Sequence, residues 1–496
     1  MLEMLFVSIG LLVLLALAAG FIFLLYLLIK KLMNQDQSVT PSSDGERPRG
    51  RSLKGLADSL SIRSLVIGVL TILMLIPLSM VDGIVQERQG LYRSVLSDIA
   101  NRWGHQQVLK GPMLVVPYVE KHVVEETVTD KEGEERTKTR VIFKTLNAVA
   151  LPEDLKIEAN IGGQYRYRGI YESLVYTADV SLSGRFERPD VAGLSEHLHR
   201  IDWEKAYLIL GLSDTKAINE VAPLVWNGEK KSLSPGTRMT NLIDRGFHSP
   251  LGLDTDKTIY RFQLKMSMNG SQGFWFAPFG ETTHVRVTSS WPHPSFGGSV
   301  LPASHDIRDD GFEADWSIPH LARNYPQLWP APSEQYDLNE FTAGVELFEP
   351  VFLYTKVDRA VKYGILFIAL TFLTFLIFEL TAQTRLHFVQ YGLIGVALSL
   401  FYLMLLSFAE HISFMRAYGI ASAINIGLIT AYAAAATRSA RRAVIVLALL
   451  SALYILLYSL LQLEDYALLM GTLLLLVVVA VLMYVTRNLR ATADAE

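Results

Sequence analysis

The chain has 496 residues, 50% of them hydrophobic and 19% charged, and its 45 Lys plus Arg against 49 Asp plus Glu leave a formal charge of -4. That balance excludes a purely soluble protein and lacks the basic surplus of a nucleic-acid binder. The absence of cysteine removes thiol nucleophiles, Cys-ligated zinc, iron–sulfur clusters and disulfides.

The first apolar run, Leu5 to Ile29, carries no charge and ends at Lys30-Lys31, which is a bilayer-spanning length. A cleaved signal peptide has its basic flank ahead of the run, where only Glu3 stands, so residues 1–30 read as an extra N-terminal transmembrane helix. Residues 31–62 contain NQDQSVTPSSDGERPRGR, polar and without periodicity, the composition of a disordered cytoplasmic tether. A second span covers 63–82, where Pro77 is expected to kink the helix.

Residues 83–357, more than half of the chain, have a different texture. Strands are predicted at Met113 to Tyr118, His122 to Val128, Arg140 to Val149, Lys156 to Tyr167, Leu174 to Phe186, Thr258 to Met268 and Glu281 to Thr288. Asp130 to Arg136 (DKEGEER) reads as a hairpin tip. Gln89 to Trp103 and Trp203 to Leu210 read as helical, with Ser213 and Asp214 capping the next turn from Thr215. Five further apolar runs, Val361 to Phe378, Val389 to Phe408, Tyr418 to Ala436, Ala443 to Leu461 and Tyr466 to Val485, fill residues 358–486 ahead of a cytoplasmic tail at 487–496.

Short-loop Lys and Arg orient these spans, because such charges stay on the cytoplasmic side. Lys30, Lys31, Arg47, Arg49, Arg51, Lys54 and Arg63, then Arg385, then Arg438, Arg441 and Arg442, then Arg487 and Arg490, all fall on one side of a seven-span path. The predicted fold is therefore mixed: an α-helical transmembrane bundle of seven spans carrying a large β-rich, sandwich-like extracytoplasmic domain. Its N-terminus is periplasmic and its C-terminus cytoplasmic.

Specific chemistry is sparse. The histidines of the insert show no HExxH and no ligand spacing, and DIRDDGFEAD, Asp306 to Asp315, has Ser317 where a calcium loop needs Glu. Ser213 with Lys216 forms an S-x-x-K, but its partner motifs are missing: Lys257-Thr258 is followed by Ile259. There is no GxSxG, Walker A or dinucleotide fingerprint, and no cofactor, metal or catalytic residue is assigned. The membrane runs carry no mid-depth charge, which disfavours an ion-coupled pump. Asn425, flanked by Ala421, Ser422, Ala423 and Gly427, reads as a helix-packing polar residue.

From Met74 to Tyr118 the chain closely resembles the N-terminal signature of the inner membrane protein CreD family, also described as cell envelope integrity or colicin-tolerance proteins. The pieces are Leu75-Ile76-Pro77, Val85-Gln86-Glu87-Arg88 with Tyr92-Arg93, Trp103-Gly104, and Gly111-Pro112 through Val116-Pro117. Leu210 to Asp214 and FTAGVELFEPVFLY, Phe341 to Tyr354, look similar as well, and the resemblance runs from about Leu60 to Arg487. It implies a bacterial inner-membrane protein with a large periplasmic domain, tied to envelope integrity and often to a β-lactam-responsive regulon, and it supplies no catalytic residues. Glu87, Arg88, Arg93 and Trp103 match the signature and read as structural or interaction residues, an interfacial latch contacting headgroups or the β-domain.

The leading functional expectation is a non-enzymatic envelope protein whose periplasmic domain binds a protein partner, a lipid or a cell-wall component. Membrane lipids are expected partners, and the oligomeric state is not legible. A lipid or small-solute carrier formed by the helices and a peptidoglycan-acting enzyme are the alternatives.

Overall fold

A computed structural model describes residues 60–129, 135–331, 336–338, 340–347, 353–382 and 386–462, with scattered positions between 469 and 483. Among them are five helices long and apolar enough to cross a membrane, not seven. The expected anchor at 1–30 and most of the tether lie outside the described residues, as does the last run apart from those scattered positions. The chain forms two compact units, one of Met1–Leu91 with Val351–Glu496 and one of Tyr92–Pro350.

In the helical unit, α1 (Leu60–Leu73) gives way at Met74 to α2 (Leu75–Trp103). The break lies where Pro77 requires it, because a proline ring crowds the carbonyl four residues back, here Leu73, and offers no N–H to it. Then follow α3 (Leu353–Ala382), α4 (Phe388–Ala409), α5 (Phe414–Thr437) and α6 (Ala440–Gln462). Small residues let helices approach: a Cβ on Gly364 would lie 2.8 Å from Leu78 Cδ2, and one on Gly395 would lie 2.5 Å from Met74 Sδ.

The second unit is two β-sheets sharing one apolar core. A ten-stranded sheet is built on β1 (Gln107–Thr129), which pairs in antiparallel fashion with β2 (Glu135–Ala150) and with Tyr207–Leu212, and in parallel with Gly273–Phe276. A nine-stranded sheet is built on β3 (Asp154–Arg168) and β4 (Tyr171–Glu187), flanked by Thr282–Ser289 and Ile259–Ser271. Phe276 of the first sheet meets Trp316 of the second edge-on at 5.5 Å, and the Tyr176 hydroxyl of the second donates to the Gly273 carbonyl of the first at 2.7 Å. Strict in–out alternation in β3 buries Leu155, Ile157, Ala159 and Ile161, then lapses from Gly163 onward, where the hairpin runs beyond the core. The β1–β2 hairpin is paired from Leu114–Ala150 out to Thr129–Glu135, and its DKEGEER tip lies largely outside the described residues.

One expected helix is corrected. Trp203 to Leu210 is a single 3-10 turn, Trp203–Lys205, followed by the strand Tyr207–Leu212, every residue of which is buried. A short continuous apolar run has no period of its own, and neighbours on both edges, β1 and Gly246–Pro250, decide it. DIRDDGFEAD is the hairpin of Ser304–Arg308 and Gly311–Pro319. Arg308 pairs with Asp306 at 2.7 Å, and Arg286 with Asp315 at 2.7 Å and with Glu313 at 3.3 Å, so three of these carboxylates serve surface ion pairs.

Candidate functional site

The residues singled out in the sequence fall in separate places. Glu87 and Arg93 are exposed on α2. Arg88 Nε lies 3.8 Å from Glu410 Oε1, and the Tyr354 hydroxyl donates to the same oxygen at 3.2 Å, so this arginine ties α2 to the ends of other membrane helices. The Trp103 indole N–H donates to the Tyr176 carbonyl at 3.1 Å, and the Arg166 guanidinium stacks 4.0 Å from its ring centre. Asn425 donates to the Tyr454 hydroxyl at 2.7 Å, and the Tyr418 hydroxyl donates to the Tyr454 carbonyl at 2.6 Å. A further polar tie was not read from sequence: Glu379, buried in α3, pairs with Arg63 of α1 and accepts from the Tyr391 hydroxyl of α4 at 3.2 Å. Its only trace in the sequence is a lone Glu and a lone Arg at the ends of apolar runs.

The β-unit gathers a different set. Because Leu109 pairs with Leu212 and Gly211 with Gly246, the start of β1, the end of Tyr207–Leu212 and the start of Gly246–Pro250 share one sheet end. Asn101 and His105, at and just after the end of α2, complete a cavity of about 600 Å³ with Ser213, Thr215, Lys216 and Arg245. His105 Nε2 is 2.9 Å from Asn101 Oδ1, and Arg245 Nη1 donates to the Ser213 carbonyl at 3.3 Å. Asp214, also on the wall, is engaged as the cap of the 3-10 turn Thr215–Ala217, accepting from Lys216 N at 3.1 Å. Two cations, Lys216 and Arg245, thus share the wall with one carboxylate that is already hydrogen-bonded. A second cavity of about 500 Å³ shares Thr215 and Arg245, is walled mainly by Ile218, Val221, Leu233, Pro235 and Phe247, and also carries Asp244, 3.8 Å from Arg245 Nε. A chamber holding Lys216 and Arg245 therefore opens beside a mostly apolar one.

Ser213 does not have the setting of a nucleophile. Its hydroxyl donates to the Gln106 carbonyl at 2.7 Å and accepts from the Val108 N–H at 2.9 Å, tying two chain segments together. Among the described residues no group of three or more His, Asp or Glu is placed to hold a metal ion. The His122 and His197 rings meet at 4.9 Å, tilted by 58°, His122 bonding Glu120 at 2.8 Å, while His199 packs on Phe143 at 5.1 Å.

One carboxyl pair has shifted acidity. Burial, reinforced by a hydrogen bond and repulsion from Glu281, pushes Glu153 up to about 7. The same hydrogen bond holds Glu281 below its ordinary value, so the two share one proton. His320 Nδ1 lies 3.8 Å from Glu281.

The family model described as inner membrane protein CreD matches residues 59–491. The inner membrane protein CreD of Escherichia coli (strain K12) is 32% identical over 421 residues, covering 84% of this chain and 90% of that protein. Among solved structures, an M1 zinc metallopeptidase mutant from Deinococcus radiodurans, bound to a Tyr-Ser-Ala substrate, aligns at 14% identity with a TM-score of 0.22. That alignment covers 40% of this chain and 42% of the peptidase, too slight a likeness to bear on fold or chemistry. With its family signature, its membrane-crossing helices and its large β-sheet unit, the chain belongs to the CreD family of multi-pass bacterial inner membrane proteins.

Proposed function

We propose that this is a non-enzymatic envelope-integrity protein whose β-unit lies in the periplasm and binds an envelope component carrying an anionic group joined to an apolar body. The observation that carries this reading is the pair of adjoining cavities. Lys216 and Arg245 supply positive charge for a phosphate or carboxylate, and the Ile218–Val221–Phe247 chamber supplies apolar wall for the rest of the ligand. The test is calorimetric titration of the full chain in nanodiscs with inorganic phosphate and with hexyl phosphate. Hexyl phosphate should bind more tightly, and Lys216→Ala with Arg245→Gln should weaken both. Equal affinities, or binding indifferent to those substitutions, would overturn the reading.

The same proposal takes the chain across the bilayer seven times, N-terminus periplasmic and C-terminus cytoplasmic, on the distribution of short-loop arginines and lysines. Protease added to intact spheroplasts should cut residues 83–357 and spare the loop holding Arg438, Arg441 and Arg442. The alternative of a lipid or small-solute carrier is favoured by one observation. The side-chain oxygen of Asn425 is buried without a hydrogen-bond partner among the described residues, although its nitrogen is paired. Lipid flipping or solute uptake by proteoliposomes that is lost in Asn425→Ala would select that alternative.

A further inference from the structure

The outermost strands of the two sheets are guarded. Ser234–Pro235, Pro294–Gly298, Ser304–Arg308 and Glu229–Lys231 are two to five residues long and rich in Pro, Gly or charge, which leaves an incoming strand little to pair with. The edge of β2 is different. Leu328–Ala331 covers it only from Ala150 to Asn147, and Tyr336 is already back against Trp329, their rings 6.1 Å apart. From Leu146 out to Glu135, β2 is paired by β1 alone among the described residues.

This open edge carries Val141, Ile142 and Phe143 in succession, 45%, 42% and 57% exposed, with one side of Phe143 resting on His199. Alternation sends Val141 and Phe143 to one face of the ribbon and Ile142 to the other, so packing against either face alone leaves part of the run in water. Val123 and Val124, on the strand opposite, are exposed as well. Arg140 and Lys144 bracket the run and share the face of Ile142. Between Arg136 and Leu146, β2 has no acid. The acids of the ribbon stand on β1: Glu120, opposite Lys144 and bonded to His122 at 2.8 Å, and Glu125 and Glu126 further along. A strand added to β2 would therefore have Arg140 and Lys144 as direct cross-strand neighbours and the acids one strand beyond, about 10 Å away.

We propose that the outer edge of β2 from Thr139 to Thr145 is a docking site for an extended segment of a partner protein, of the pattern acid–apolar–apolar–apolar–acid, which joins the sheet as one more strand. Its backbone takes up the N–H and C=O groups that β2 turns away from β1. Its three apolar residues lie beside Val141, Ile142 and Phe143, and its two acids lie beside Arg140 and Lys144. The pattern reads the same in both directions, so a parallel and an antiparallel strand satisfy it alike. The ligand cavities lie at the start of β1 and this ribbon at its end, so the inference goes beyond the ligand reading and its test leaves that reading untouched.

Fluorescence anisotropy with the full chain in nanodiscs supplies the test. The probe is a labelled peptide, Glu-Val-Ile-Val-Glu between Ser-Gly ends, compared with the same peptide carrying Lys for both Glu and with a form N-methylated at its five central amides. The acidic peptide should bind at least about fivefold more tightly than the Lys peptide, and the methylated form should not bind. Arg140→Gln with Lys144→Gln should bring the two charge forms to within about twofold of each other, with the melting temperature checking the fold. Bound peptide should slow amide hydrogen exchange more in residues 139–145 than in 121–125. Equal affinity for the acidic and Lys peptides, binding that survives methylation, or protection centred on 121–125 would overturn the proposal. Absence of binding would overturn it too, and self-association of the detergent-solubilised chain that the same double variant weakens would then assign the edge to a second copy.

Discussion

The Asn425 amide nitrogen lies 2.7 Å from the Tyr454 hydroxyl, joining α5 to α6 through two side chains that are only 1% and 5% exposed. Tyr454→Phe removes the acceptor and leaves a buried amide unpaired, while the Tyr418 bond to the Tyr454 backbone persists. We expect a loss of about 1 kcal/mol, the usual scale for an interhelical hydrogen bond in a membrane. Thermal unfolding of Asn425→Ala, Tyr454→Phe and the double variant should show a coupling, the double costing less than the two singles summed.

Arg88 and Glu410 should behave asymmetrically. The Glu410 side chain is 9% exposed and the Arg88 side chain 43%, so Arg88→Ala takes the cation from a buried carboxylate that keeps only the neutral Tyr354 hydroxyl named above, whereas Glu410→Gln leaves a cation that can reach water. The expected cost of Arg88→Ala is about 1–2 kcal/mol, with Glu410→Gln nearer to neutral. Equal melting temperatures for the two variants would show that the pair does not hold α2.

Gly104, the second half of the family's Trp-Gly element, is at φ +142°, and a Cβ there would lie 2.7 Å from Ala217 Cβ and 2.9 Å from the Asn269 carbonyl. Both conformation and space are closed to a side chain. Gly104→Ala should therefore destabilise the β-unit by about 2 kcal/mol or more, seen as a lower melting temperature and faster proteolysis.

The Glu153–Glu281 pair gives stability a pH slope. Glu153 keeps its proton up to about 7 against an ordinary 4.5, so in that window the folded chain binds more protons than the unfolded one. This contribution is complete below the ordinary value and is lost as pH rises through about 7. Glu281, shifted downward, acts oppositely, losing its contribution only as pH falls through its lowered value. The β-unit should melt at a higher temperature near about pH 5.5 than near about pH 8. Glu153→Gln, a fixed neutral donor to Glu281, should flatten that difference.

Much of the architecture was open to reading because hydrophobic length and period are local. Alternation in β3 and the uncharged runs that became α4 and α6 each declare themselves within a short window. Pro77 likewise announced the interruption at Met74. The Tyr207–Leu212 strand was misread because YLILGL is apolar throughout, and only its two neighbours make it a strand. The cavities were illegible for a stronger reason. Asn101, His105, Lys216 and Arg245 are ordinary surface types far apart in the chain, and only the pairing of Leu109 with Leu212 and Gly211 with Gly246 brings them together.

The end of α2 has no swivel. The Trp103 indole is held by Tyr176, Gly104 is hemmed in by Ala217 and Asn269, and the Ser271 hydroxyl donates to the Gly104 carbonyl at 2.8 Å. A helix fastened at its last turn to two neighbouring strands of the nine-stranded sheet cannot spin about its own axis while they stay still. Torsion arriving along that helix is delivered to the strands around Tyr176 and Ser271, as a shaft turns what is keyed to it.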